Sequence, residues 1–431
     1  MFDICCHGSY LVDMNGRKIW IPLALAILAI VLIRLTTPIA QPANDGIEYL
    51  KIASAGLDPQ AQLAAPFAYR FAIPLLVHLV SLVTGGAPLT IFPWFAALSC
   101  VMVLLSAYGV ALIAGASRGY ALLAMLVLAC SLFIVRFPLY FPFAVDVEAL
   151  AVSFLAFALL LRRSYVAALI VSLVGLLFKE FLLAPLIVLI GLFFAQYLRD
   201  RTTRPLLLTI LALVLTAAVF VLPRVLIPVT YSLGTILQVK APAPSTTMYL
   251  SELRRYLAWP PQLGTPVNIL LALISFWLPA LMLSTPERLR MLWRTLGPNR
   301  ITVILWVATV VALASVGGTN IMIFVTYSAP ILILVLTTLF RSGVSKAEVG
   351  LAVVATLLFN RMLFGFGTPG GQLDTAIGFY GAYWHLLDST TVWRLAEAVG
   401  WIVLCWGIRW QGKISSSRSL LKIDSRPKVS D

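Results

Sequence analysis

Long apolar runs, separated by short clusters of arginine and lysine, dominate the sequence. Stretches such as 89–115, 205–222 and 301–316 hold almost no charge. About 20 such residues carry a helix across the roughly 30 Å hydrocarbon core of a bilayer. The chain has 431 residues, 61% of them hydrophobic and 11% charged. Soluble domains average roughly 25% charged residues, because their surfaces must be solvated. A soluble enzyme, a disordered chain and a secreted disulfide scaffold are therefore excluded. The runs are continuous and do not alternate, which argues against a transmembrane β-barrel. The pattern predicts an all-α, polytopic transmembrane helical bundle.

Twelve spans are expected, near 19–36, 89–115, 119–137, 145–161, 164–178, 181–198, 205–222, 268–284, 301–316, 321–340, 347–364 and 392–410. Segment 71–84 is apolar but short. As a helix it would reach only about 21 Å at 1.5 Å per residue. It reads as a juxtamembrane or re-entrant helix. The basic residues fix the orientation, since cytoplasmic loops collect them. With both termini cytoplasmic, 20 of the 31 Lys and Arg residues fall inside, including Arg162-Arg163, Arg199/Arg201/Arg204 and Arg288/Arg290/Arg294/Arg300. Most of the net charge of +14 is thus orientation signal, and a nucleic-acid partner is not expected. The expected organisation is a cytoplasmic tail (1–18), one integral membrane domain (19–410) and a basic cytoplasmic tail (411–431). Outer loops fall at 37–88, 223–267 and 365–391. The second contains seven prolines and should resist regular structure.

The five cysteines lack metal-like spacing apart from Cys5-Cys6-His7, and read as reduced thiols. The first 18 residues hold Asp3 and Asp13 and no cleavage pattern, so a signal peptide is not expected. Met14, ahead of Arg17-Lys18, would serve as an alternative start. No phosphate-binding Gly-x-x-x-x-Gly-Lys-Ser/Thr loop occurs, since Ile414 follows Gly407-x-x-x-x-Gly412-Lys413, which disfavours ATP-driven chemistry. No Asn-x-Ser/Thr sequon occurs either. The location expected is a plasma membrane, of the bacterial inner-membrane kind.

Ionisable groups close to hydrocarbon are costly and need a reason. On this topology several gather at the outer boundary. Asn44-Asp45-Gly46-Ile47-Glu48-Tyr49 follows the first span. If it opens a helix, Asp45 and Glu48 share a face at i, i+3; Asp45 also suits a helix cap. Arg70 lies in Pro66-Phe67-Ala68-Tyr69-Arg70-Phe71-Ala72-Ile73-Pro74, as an interface anchor or a bidentate phosphate clamp. Asp146 and Glu148 open the fourth span after the aromatic stretch Arg136–Phe143, where a helix dipole favours carboxylates. Two residues apart, they point to different faces. Lys179-Glu180 turns between two apolar runs. Arg224, Lys240, Arg254, Arg255 and Arg361 add positive charge on the same side. His78, within 71–84, reads as a packed or interfacial side chain and secondarily as a catalytic candidate.

Together these residues suit group transfer from a lipid phosphate. A carboxylate offers a general base for a hydroxyl. Arg and Lys stabilise a phosphate leaving group. Grooves between spans would receive a lipid chain.

The order Asp45-x-x-x-Tyr49, Pro66-Phe67-x-x-Arg70-x-x-x-Pro74, Asp146 opening a span and Lys179-Glu180 resembles the GT-C type of polytopic membrane glycosyltransferase. The resemblance covers about residues 17–200. It implies transfer of a sugar from a polyprenyl-phosphate donor to a glycan, lipid or protein acceptor at the outer face. It implies Asp45 as the base that activates the acceptor hydroxyl, with Glu48 as the other catalytic candidate, and Arg70, Lys179, Arg224 and Arg361 as candidates for the donor phosphate. Asp146, Glu148 and Glu180 are supporting acids, with Tyr49 and His78 as further candidates. Many such enzymes carry Asp-x-Asp in the first loop. Here the acid after Asp45 is Glu48, so no metal and no cofactor is expected. A multi-span transporter or flippase, and a polymerase or ligase of lipid-linked glycans, are the competing readings.

Overall fold

The computed structural model describes residues 19–43, 45–227, 229, 231–233, 240–241, 264–316, 321–362 and 389–424. The chain is mostly helical. Helix α1 (Trp20–Leu35) leads into α2 (Asp45–Ala55), α3 (Ala72–Thr84), α4 (Pro88–Ile113) and α5 (Arg118–Ala129). After a π-helical turn at Leu132–Arg136 come α6 (Phe137–Tyr140), α7 (Asp146–Leu161), α8 (Tyr165–Leu176), α9 (Leu183–Asp200) and α10 (Thr203–Leu226). The second half contains α11 (Gly264–Leu283), α12 (Pro286–Leu296), α13 (Arg300–Val316), α14 (Ile321–Val325), α15 (Ala329–Arg341), α16 (Lys346–Phe359) and α17 (Ser389–Asp424).

A helix occupies each of the twelve segments expected to span, yet few are long and unbroken. Among the described residues four are, by length and composition, long and apolar enough to cross a membrane: Pro88–Ile113, Glu180–Asp200, Thr203–Leu226 and Ile323–Arg341. Two bent pairs bring the number to six. One corrects the expected straight span 119–137. There α5 stops at Ala129, and the chain turns by 74° into Leu132–Tyr140. A π turn at such a break gives up helical register, which re-aims Arg136 and the aromatics beyond it. The other pair bends by 102° between α11 and α12. Segment 71–84 forms the 13-residue α3, ended by Gly85 at φ +68°, a conformation glycine adopts without Cβ strain. The last helix passes through the expected boundary at 410 and continues to Asp424.

Local signals explain the helix ends. Ser117 accepts from the Tyr120 amide at the start of α5. Ser345 and Glu348 form a reciprocal capping box at α16. Packing then sorts the helices. Residues 323–340 are wholly buried, whereas only 17% of the most apolar stretch of α10 is buried. Large apolar side chains on α1 and α10, among them Trp20, Leu35, Leu207 and Leu226, face outward. Apolar helices that stay uncovered are compatible with a membrane protein, because water does not tolerate so large an apolar surface.

A small sheet links two connecting segments. β1 (Ala64–Ala65) runs parallel to β2 (Tyr231–Leu233), which pairs antiparallel with β3 (Lys240–Ala241). The proline-rich 223–267 loop, expected to lack regular structure, therefore carries two short strands. Beside the sheet, Ile52, Leu63, Tyr69, Ile227 and Val229 form a compact apolar cluster. Residues 1–18, Asn44, Arg254, Arg255 and most of 365–391 lie outside the described residues.

Candidate functional site

The site lies beneath α2. Asp45 and Glu48 fall in its first turn, but the helix sends them to different partners. Glu48 is ion-paired with Lys51 at 2.9 Å. Asp45 turns toward the body of the protein, where the charges of Lys179, Asp146 and Arg70 act on it. The expected catalytic pair is thus divided. Burial raises the Asp45 carboxyl above its ordinary value, against the pull of Lys179; Asp146 adds to the rise and Arg70 opposes it. Asp45 is the first helical residue of α2, inside the position a cap would take.

Close packing at Gly46 brings α2 to this place. A Cβ there would lie 2.8 Å from Phe141 Cζ and 2.9 Å from Phe143 Cβ. Only a glycine lets the helix approach the aromatic turn between α6 and α7. One turn on from Asp45, Tyr49 is buried and meets Phe67 edge-to-face at 5.7 Å. Burial pushes its phenol well up, with Arg70 pulling the other way.

Three acids and three bases converge here from five regions of sequence. Arg70, at the end of a short 3₁₀ turn (Phe67–Tyr69), gives its Nε to Glu180 Oε2 at 2.8 Å and its Nη1 to the Tyr49 hydroxyl at 3.4 Å. Arg224, in the last turn of α10, gives Nη2 to Glu180 Oε1 at 3.2 Å. Its guanidinium lies 5.0 Å from the Tyr69 ring and 3.7 Å from the Phe220 ring. Glu180 therefore sits between two guanidinium groups. Lys179 forms an ion pair with Asp146, at the first residue of α7. Its ammonium is also 5.2 Å from the Phe324 ring.

The far half of the chain completes the wall. Tyr327 donates its hydroxyl to the Asp146 carbonyl at 3.1 Å. Phe181 stacks on Phe324 at 4.8 Å and on Tyr327 at 4.6 Å. Nothing near Phe324 or Tyr327 in the sequence marks them as site residues; only the packing of the 323–340 segment on α7 and on Phe181 puts them there. Tyr69 lay inside a quoted motif, without a role of its own.

Other expected site residues go elsewhere. Glu148 is 3% exposed, on the other side of α7 from Lys179, and its carboxylate has no hydrogen-bond partner among the described residues. His78 Nδ1 lies 3.0 Å from the Ala53 carbonyl, tying α3 to α2. Arg361 has its own group. It makes two 2.8 Å bonds to Glu397, and its carbonyl accepts from the buried Arg136 at 2.7 Å. Arg394 joins at 3.0 Å through the same Glu397. Among the described residues no hydrogen bond, ion pair or ring contact joins Arg361 to the Asp45 group. Of the four phosphate-binding candidates, Arg70, Lys179 and Arg224 are thus brought together, and Arg361 stands apart from them. Lys240 falls in β3.

An open groove of about 430 Å³ runs along the opposite face of α2, lined by Ile47, Leu50, Lys51, Ser54, Ala55 and Ala61. Among the described residues no group of three or more His, Cys, Asp or Glu has a metal-binding arrangement. No family model matches the chain, and no curated protein and no solved structure is significantly similar to it.

Proposed function

We propose that the chain is a multi-pass membrane glycosyltransferase of the GT-C type, moving a sugar from a polyprenyl-phosphate donor to an acceptor at the outer face. The topology in this reading is twelve spans with both termini cytoplasmic, in a bacterial inner membrane. The observation that carries it is the convergence of Asp45 with Lys179, Asp146, Arg70, Glu180 and Arg224 beneath a short amphipathic helix that follows the first apolar helix. A carboxyl raised above its ordinary value is a better base for an acceptor hydroxyl than a solvated one. In the reaction, Asp45 takes the hydroxyl proton as that oxygen attacks the anomeric carbon. The bond from that carbon to the donor phosphate breaks, and the configuration inverts. Lys179, Arg70 and Arg224 stabilise the charge left on the phosphate. Asp146 and Glu180 hold those cations in place, and Tyr49 orients Arg70.

The test is transfer from a radiolabelled polyprenyl-phosphate sugar in membranes containing the protein. Asp45→Asn should reduce transfer by on the order of 100-fold or more, with insertion unchanged. Wild-type turnover in that variant would remove Asp45 as the base.

A second reading, a multi-span transporter, draws on Glu148. A buried carboxylate without a partner among the described residues, in an apolar helix, is a feature of ion and proton pathways. Loss of solute uptake in Glu148→Gln, with glycans unchanged, would favour it.

A further inference from the structure

The 102° bend between α11 and α12 lays an 11-residue helix across the end of the apolar helix before it. Its ends are built into the sequence. Thr285 Oγ1 accepts from the Arg288 amide at 3.1 Å, and Pro286 occupies the first turn. Gly297, at φ +46°, stops it. On one side Leu292 and Leu296 are buried. Arg288 is tied down as well, giving Nη1 to Glu348 at 3.0 Å and to the Leu283 carbonyl at 2.9 Å.

The remaining faces are uncovered. Leu289 and Trp293, four residues apart, are 47% and 48% exposed. Arg290 and Arg294 follow each of them by one residue, and so form a parallel exposed row. Among the described residues neither arginine has an ion pair or a side-chain hydrogen bond. Arg300 joins the row by bonding the Trp293 carbonyl at 2.7 Å and stacking 4.9 Å over its ring. Glu287 is the acid on this surface; Glu348 is engaged by Arg288 and Arg409. An apolar stripe beside unpaired guanidinium groups is the arrangement of a helix lying in a bilayer interface. The stripe enters the acyl region, while the arginines stay level with phosphates.

We propose that α12 is a binding surface for anionic phospholipid head groups, with Arg290, Arg294 and Arg300 as the phosphate ligands and Leu289 and Trp293 as the apolar anchor. Charge complementarity selects the occupant. Three cations against one acid suit a lipid phosphate, and the stripe is too narrow to make a protein interface by itself. The proposal rests on the chain being a membrane protein, but not on glycosyl transfer.

The full-length protein is reconstituted into nanodiscs of phosphatidylcholine alone and of a phosphatidylcholine–phosphatidylglycerol mixture. The lipids retained after mild delipidation are then counted by native mass spectrometry. Wild type should retain phosphatidylglycerol over phosphatidylcholine. Arg290→Gln/Arg294→Gln should lose that preference by about 30-fold, at about 1 kcal/mol per surface cation, while still entering both kinds of disc. Leu289→Gln/Trp293→Gln should weaken retention of both lipids equally. An unchanged phosphatidylglycerol preference in the double arginine variant overturns the site. So does the replacement of lipid by a co-purifying protein that protects Arg290 and Arg294 from guanidine-modifying reagents. Failure of wild type to enter either disc would instead overturn the membrane reading beneath it.

Discussion

Arg70 and Glu180 meet at 2.8 Å across 110 residues of sequence. The carboxylate that receives Arg70 also receives Arg224, so one acid fixes two cations from different elements. Removing it leaves two largely buried guanidinium groups that repel each other without the shared counter-charge. Glu180→Gln should therefore cost about 3 kcal/mol of stability. Thermal unfolding in detergent checks this, and Glu180→Asp should recover part of the loss. A wild-type melting temperature in Glu180→Gln would show that solvent already screens the pair.

The raised carboxyl of Asp45 has a pH signature of known sign. The folded state favours the protonated form, so it binds more protons than the unfolded chain between the ordinary value of 3.8 and the raised folded value. Stability from this group is present below 3.8 and is lost as pH rises through the folded value. Asp45→Asn should flatten that fall in a plot of melting temperature against pH. In the proposed reaction the acid limb of kcat/KM should also lie above that of a solvated aspartate.

Gly46 permits the approach that aims Asp45. Gly46→Ala should cost about 1–3 kcal/mol, the range for overpacking, and should lower the proposed transfer activity by displacing α2. Gly109, in α4, is the control, because a Cβ there meets nothing within 4 Å. Gly109→Ala should be neutral or gain up to about 1 kcal/mol from helix propensity. Equal melting temperatures for the two variants would exclude the packing account.

Glu348 accepts from Arg288 at 3.0 Å and from Arg409 at 2.5 Å, holding α12 and α17 against α16. Glu348→Gln should loosen that contact. Cys405, 1% exposed on the same helix, then becomes reactive. Maleimide labelling of Cys405 should rise several-fold in the variant, with Cys100 still protected. Unaltered labelling would mean that apolar packing alone seats the helix.

The sequence disclosed the position of helices well and their continuity poorly. The apolar runs located a helix in every segment expected to span, because apolar periodicity is a local property. The break after Ala129 was not visible, since Cys130-Ser131 interrupts the run with two small residues that many helices tolerate. The strands at 231–233 and 240–241 were hidden for a different reason. The first pairs with Ala64–Ala65, a partner more than 160 residues away that leaves no mark in the loop itself, and the second pairs back onto the first.

For the site, the sequence by itself determined which charged residues the chain carries beside its apolar runs: Asp45, Arg70, Asp146, Lys179, Glu180 and Arg224 were each evident against so apolar a background. Tertiary structure decided who meets whom. It divided Asp45 from Glu48, gave Arg361 to Glu397, left Glu148 enclosed, and brought Phe324 and Tyr327 to Lys179 and Asp146. The physical reason is range. The cost of placing a charge beside hydrocarbon is set by near neighbours in the chain, so composition reveals it. The partner that offsets the cost is chosen by helix packing, which brings together residues that sequence keeps far apart.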